Sequence, residues 1–234
     1  LLSFKKLMLA FSRAFFLTMI IHFLFFKIIL SLKSFILCAS LPKHWLLSWN
    51  WYRSLWSLVP TDFESQLLVR SGRYGMNDLN HLRTPICSAY QVLKLAQVNS
   101  KSVVVDLGAG MGSFVVAALL NGASAVCGVE LQGTLCGVLK RAFYANKNTS
   151  FIKGDVAKVA LPLGTHYVVS WTTWRSESRK ILERKLNALP SGIRVLTFTH
   201  ELSEDGWLLQ KQQKMTFPGF RLDVFFYEKS ELEN

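Results

Sequence analysis

From Val103 onward, hydrophobic residues fall into short unbroken runs separated by glycines or polar turns, a pattern that predicts strands covered on both faces. Val103, Val104 and Val105 are β-branched and apolar without alternation, which predicts a buried strand of a parallel sheet. Gly108, Gly110 and Gly112 follow, and glycine lets a backbone turn sharply and bring its N–H groups close to a ligand. Ser113 to Leu120 is an apolar run that predicts a helix, and Ala125 to Val129 reads as the next buried strand. This is one βαβ unit with a ligand-sized turn at the carboxyl end of its first strand. Thr134 to Asn146 predicts the following helix; "FIKGDV" closes a third strand and "THYVVSW", residues 165–171, forms a fourth. Ser176 is placed to cap a helix whose apolar side is Ile181, Leu182, Leu186 and Leu189. The other side of that helix (Glu177, Arg179, Lys180, Glu183, Arg184, Lys185) reads as a solvated face. "SGIRVLTFTH" predicts a fifth strand. The stretches Trp207 to Phe217 and Arg221 to Glu228, joined by the turn pair Pro218-Gly219, predict an antiparallel hairpin. Before all of these, Thr84-Pro85 pairs a hydroxyl cap with a first-turn proline, predicting a helix to about Val98. The fold class is α/β.

The first quarter of the chain has a different character. Leu7 to Leu37 is dominated by Phe and Leu and predicts a hydrophobic N-terminal helix. Between Arg13 and Lys27 lie 13 uncharged residues, about 20 Å of helix against a hydrocarbon core of roughly 30 Å. Continuing to Leu32 gives about 28 Å, with Lys27 required to snorkel. Lys6, Arg13, Lys27, Ser31 and Ser34 fall near one helical face, which also suits a helix lying in a membrane interface. Trp45, Trp49, Trp51 and Trp56, beside Lys43, His44 and Arg53, have the makings of an interfacial belt. Residues 1–60 are therefore expected to be a membrane-anchor or targeting segment, and residues 61–234 the folded domain. A secretory signal peptide, a buried helix and an aromatic linker packed on the domain are the alternatives.

Charge sharpens that division. Of the net +12, residues 1–61 contribute seven basic side chains and no acidic one. The remainder is only mildly basic, which weakens the case for a nucleic-acid partner, whose footprint belongs on the folded domain. The four cysteines show no C-x-x-C spacing, so they are expected to be reduced and structural, and no metal site is expected.

Spacing also narrows the ligand. The dinucleotide fingerprint is G-x-G-x-x-G, whereas this turn is G-x-G-x-G with Asp106 two residues ahead and Glu130 closing the next strand. That arrangement resembles motif I of the class I, seven-strand, S-adenosylmethionine (SAM) methyltransferases. The resemblance covers roughly residues 84–229 and implies a Rossmann-like sheet closed by the C-terminal antiparallel hairpin. It also implies SAM as cofactor, with Gly108, Ala109, Gly110 and Gly112 passing under its methionine part and Asp106 helping to hold the amino-acid end. Glu130 would accept both ribose hydroxyls, since a carboxylate is acceptor-only, with Leu131 beside it. Asp155, with Val156, would face the adenine.

Methyl transfer from a sulfonium is an in-line displacement that depends chiefly on positioning. In this fold the acceptor lies after the fourth strand, where the sequence reads Ser170-Trp171-Thr172-Thr173-Trp174. Enzymes acting on adenine or glutamine amide nitrogens usually carry Asn/Asp-Pro-Pro-Tyr there. Trp174 is a candidate aromatic wall for an amine acceptor, Trp171 a core residue, and Tyr74 in "SGRYGM" a candidate for a segment closing over the cofactor. His200 is read as structural. More finely, "GVEL" (128–131) and "DVAKV" (155–159) resemble the mitochondrial lysine methyltransferases of ATP synthase c-subunit and adenine nucleotide translocase, although Met111 stands where that group tends to have Asp. This resemblance implies a protein-lysine N-methyltransferase acting on a membrane-associated, mitochondrial protein. An RNA methyltransferase, a non-catalytic SAM-binding module and another organelle or endomembrane are the alternatives.

Overall fold

The computed structural model describes residues 84–203, 206–217 and 220–230, together with isolated positions at 28, 29, 32, 33, 36, 67, 68, 70 and 71. Its elements are α1 (Ile86–Leu95), β1 (Val103–Leu107), α2 (Ser113–Leu120), β2 (Ala125–Glu130), α3 (Gly133–Ala142) and β3 (Thr149–Lys153). They continue as β4 (His166–Val169), α4 (Ser176–Asn187), β5 (Arg194–Phe198), β6 (Trp207–Phe217) and β7 (Phe220–Lys229). All seven strands join one sheet in the order β3-β2-β1-β4-β5-β7-β6. The first five run parallel, and β7 inserts antiparallel between β5 and β6. The α/β sheet with its C-terminal hairpin is thus present.

Strand parity divides the core. Val104, Val126, Val168, Leu196, Val224 and Phe226 face α1 and α2 and pack with them. Val105, Leu107, Val129, Tyr167, Val169 and Val195 face the other side, where Leu182 and Leu186 of α4 cover them. Because both faces are covered, the strands are apolar at successive positions, which is why they read as unbroken runs. α2 is apolar all round for the same reason, with seven of its eight residues buried.

Several boundaries differ from expectation. α1 stops at Leu95, and Thr84 makes no capping bond; Pro85 holds the N-cap position in an extended conformation. α3 stops at Ala142, four residues early, because Phe143 leaves helical geometry and buries its ring, while Asn146 N–H turns back to its carbonyl at 2.8 Å. Arg175, not Ser176, occupies the N-cap of α4, and no side chain bonds there. The charged side of α4 is not uniformly solvated. Glu183 is buried and accepts a hydrogen bond from Ser203 Oγ at 2.6 Å, and Lys185 Nζ donates to Val156 O at 2.8 Å.

The expected anchor, residues 1–60, lies almost wholly outside the described residues. Ile28, Leu32 and Ile36 are helical and exposed. Among the described residues, no helix is long and apolar enough to cross a membrane. Tyr74 also lies outside the described residues. Cys87 is half-buried, Cys127 and Cys136 are buried, and none of the three forms a disulfide.

Candidate functional site

The strand order reverses beside β1, whose neighbours are β2 and β4, and ligands of open α/β sheets bind outside the carboxyl ends of strands at such a point. Asp106 is the penultimate residue of β1, and its register partners are Gly128 on β2 and Val168 on β4. Glycine at 128 is required, since a Cβ would meet Phe151 Cδ1 at 2.9 Å and Ala109 Cβ at 3.0 Å. The turn after β1 uses left-handed backbone at each glycine, with φ of 87° at Gly108, 50° at Gly110 and 79° at Gly112. β-Carbon-bearing residues adopt such angles only at a cost.

The N–H groups of this turn are directed differently from the sequence-based expectation. Gly108 and Ala109 both donate to Val129 O at 2.9 Å, Gly112 donates to Ala109 O at 2.7 Å, and Gly110 donates to Glu130 Oε2 at 2.7 Å. These donors serve the turn itself instead of a ligand. The other Glu130 oxygen, Oε1, accepts the N–H of Gln132 at 2.8 Å. Glu130 therefore ties the end of β2 to the glycine turn and to the start of α3.

Asp106 is in the opposite condition. It is 1% exposed, and neither carboxylate oxygen has a hydrogen-bond partner among the described residues. Burial, reinforced by the nearby Glu130 carboxylate, pushes its pKa up to about 8. A buried acid without donors is costly when charged, so Asp106 is poised to take up a cation or a donor.

The other expected residues surround this pair. Ala109 is buried in the turn, and Leu131 is half-buried just past β2. Asp155 follows β3, its Oδ1 accepting Ala157 N–H at 2.9 Å and its Oδ2 lying 3.6 Å from Lys158 Nζ. Val156 is half-buried against the α4 side of the core. Trp174 stands over the glycine turn: a Cβ on Gly108 would come 3.2 Å from its Cζ2. Trp171 is fully buried, as expected of a core residue, and donates from Nε1 to His200 O at 3.2 Å. The structure thus brings Asp106, Gly108, Ala109, Gly110, Gly112, Glu130, Leu131 and Trp174 to one end of the sheet.

Sequence reading missed the residues that join the ends of β4 and β5. Thr199 has a φ of 72°, an uncommon angle for a β-branched residue, and its Oγ1 bonds Thr172 Oγ1 at 3.1 Å. The His200 carbonyl also accepts Thr197 Oγ1 at 2.7 Å. Burial and the adjacent Arg179 hold the His200 ring below its usual pKa. Nothing in "FTHEL" signals a left-handed threonine.

No family model and no curated protein matches the sequence. Solved structures do match. The chain is similar to an RNA methyltransferase from Salinibacter ruber determined with S-adenosyl-L-homocysteine, at 22% identity and a TM-score of 0.53, covering 65% of this chain and 97% of that one. It is similar to PH1948 from Pyrococcus horikoshii, named as a candidate RNA methyltransferase, at 19% identity and a TM-score of 0.53, covering 68% and 91%. A third, TrmN from Thermus thermophilus, gives 22% identity and a TM-score of 0.52, covering 60% of this chain and 48% of that one. The chain has the class I methyltransferase fold. The finer resemblance to the ATP synthase c-subunit and translocase lysine methyltransferases gains no support from these matches.

The expectation against a nucleic-acid partner also needs correction. Residues 84–230 hold 17 Lys and Arg against 10 Asp and Glu; three of those acids, Asp106, Glu130 and Glu183, and one of the bases, Lys229, are buried. The surface of this methyltransferase-fold domain is more basic than the composition of residues 62–234 suggested.

One prediction tests the turn itself. Gly108→Ala should destabilise the protein by about 1–2 kcal/mol from the left-handed β-carbon, plus the crowding of that Cβ 3.2 Å from Trp174 Cζ2; only the crowding should be recovered when Trp174→Ala is added. Urea denaturation of the two variants and the double variant reads both. A Gly108→Ala protein as stable as the wild type would mean that the turn adopts another conformation.

Proposed function

We propose that this protein is a SAM-dependent methyltransferase. The observation that carries the proposal is the buried carboxylate pair at the glycine turn, Asp106 without a hydrogen-bond partner and Glu130 beside it. A dinucleotide site would use Glu130 for its ribose but has no role for a second buried acid, Asp106, beside its pyrophosphate; here the two acids stand together. They suit a ligand that brings an ammonium and a pair of hydroxyls, and SAM has both. The SAH-bound Salinibacter ruber neighbour supports the same cofactor. When bound, SAM supplies an electrophilic methyl group.

The roles of the chain's residues then divide by chemistry. Asp106 would receive the amino-acid end, its charge stabilised once an ammonium is near. Glu130 would accept the ribose hydroxyls while keeping the turn in shape. Gly108, Gly110 and Gly112 permit close approach, with Ala109 between them and Leu131 bordering the ribose end. Asp155 and Val156 would border the adenine. Trp174, over Gly108, would wall the acceptor channel and help exclude water. Most of the barrier reduction would come from this positioning.

For the acceptor, RNA is the reading better supported, by the two neighbours named for RNA methylation and by the basic surface of residues 84–230. A protein lysine is the second reading. It is favoured by Ser170-Trp171-Thr172-Thr173-Trp174, which lacks the Asn/Asp-Pro-Pro-Tyr of adenine-directed enzymes.

Calorimetric titration of the full chain with SAM tests the cofactor; absence of binding overturns the proposal. Incubation with methyl-labelled SAM, total RNA and a membrane-protein fraction then separates the acceptors. Label in RNA supports the first reading, and label on lysine in protein replaces it with the second.

A further inference from the structure

Between β3 and β4 the chain crosses over through residues 154–165 without forming a helix. Val156, Val159 and Leu161 lie against the same core face as Leu182 and Leu186 of α4. A helix would satisfy its own carbonyls, whereas this loop must find donors elsewhere. Its first turn is closed locally: Asp155 O accepts Lys158 N–H at 2.8 Å and Val159 N–H at 2.9 Å. The turn is tight enough that a Cβ on Gly154 would overlap Val159 Cγ1. Gly154 N–H in turn donates to Glu130 O at 2.9 Å, linking the loop to the proposed ribose residue.

Two carbonyls of the loop are met from α4. Lys185 Nζ donates to Val156 O at 2.8 Å and to Val159 O at 2.5 Å. An ammonium has three donors on a flexible stem, and this one spends two of them on a single loop. The carbonyls it takes bracket the segment that presents Asp155 and Val156.

We propose that Lys185 is a positioning residue for the adenine end of the cofactor site, acting by holding the Asp155–Val159 loop against α4. The inference rests on the SAM reading above. Lys185 does not touch the cofactor. It fixes the loop so that the Asp155 carboxylate faces the ring amine and the Val156 backbone lies beside it. Burial holds the Lys185 pKa below its usual value, and the nearby Asp155 offsets only part of that effect; the positioning role rests on the two carbonyl contacts. α4 also starts directly after the Trp171–Trp174 segment. The same helix therefore spans the acceptor side of the site and the adenine loop.

The test compares two ligands on the full chain by calorimetry: S-adenosylhomocysteine, and its inosine counterpart, in which a carbonyl oxygen replaces the ring amine. The wild type should prefer the adenosine form. Lys185→Met should weaken that form about tenfold, as for loss of one well-placed hydrogen bond. The inosine form should stay within about twofold, so that discrimination collapses. Lys185→Arg, which retains several donors, should keep most of the discrimination. Should Lys185→Met fail to fold, Lys185→Gln serves in its place, with a smaller fall in the same direction. Unchanged discrimination in the variant, or equal weakening of both ligands, overturns the inference and leaves the SAM reading intact. A wild-type protein that binds neither ligand overturns the SAM reading itself.

Discussion

Asp106→Asn should make the ligand-free protein more stable at pH 8 than the wild type, and should at the same time impair SAM binding. The native pKa of Asp106 is about 8, above its ordinary value of 3.8, because burial and Glu130 both disfavour the charged form. The native state therefore binds a proton more tightly than the unfolded chain. Its stabilising contribution is fully present below about pH 3.8 and is lost as pH rises through about 8. At 1.36 kcal/mol per unit, the full loss has an upper bound of ~6 kcal/mol. Asparagine does not titrate, so urea denaturation at pH 5 and pH 8 should show a fall in wild-type stability that the variant lacks. Cofactor affinity should respond in the opposite sense. An ammonium beside Asp106 favours the carboxylate, so wild-type SAM affinity should rise with pH and level off only above about pH 8. The variant should bind ~100-fold more weakly at pH 8, through loss of a charge-assisted contact, with little pH dependence. Equal pH slopes in the two proteins would refute the assignment of Asp106.

Opposite demands at one residue explain why such a site is legible in sequence. An acid in the middle of "VVVDLGAG" sits in a strand covered on both faces and finds no hydrogen-bond partner among the described residues, which is the reason we propose it as a ligand contact. The strands themselves were legible because double coverage removes alternation, leaving β-branched runs such as Val103–Val105. Left-handed turns leave an equally plain trace in Gly108, Gly110 and Gly112. Local signals failed where a distant contact decides the outcome. Thr84 looks like a cap but makes no capping bond. α3 keeps helical composition past Ala142, but Phe143 is better used in the core. The charged side of α4 looks solvated until the fold places Ser203 on Glu183 and the β3–β4 loop on Lys185, contacts that span 20 to 29 residues. The direction of the turn's N–H groups was likewise hidden. It depends on Val129 and Glu130 arriving from the neighbouring strand.

Glu130 concentrates these dependencies, and Glu130→Gln should separate them. The carboxylate now accepts Gly110 N–H through one oxygen and Gln132 N–H through the other. A glutamine amide has a single oxygen and turns its NH₂ toward one of those donors, so one backbone contact is lost and replaced by an unfavourable approach. The expected ribose contacts lose their anionic acceptor as well. Together these changes should lower SAM affinity by about 3–4 kcal/mol, from two charge-assisted hydrogen bonds. Removal of the charge acts in the other direction on Asp106. Glu130 is the second cause of its raised pKa, after burial, so the Asp106 pKa should move down but stay above 3.8. The fall in stability between pH 5 and pH 8 should then be smaller than in the wild type and larger than in Asp106→Asn. Calorimetry with SAM and denaturation at the two pH values measure both effects on one protein. Wild-type SAM affinity in a folded Glu130→Gln protein would refute the ribose assignment. An unchanged pH slope would show that the two carboxylates do not interact, and that burial alone keeps Asp106 protonated.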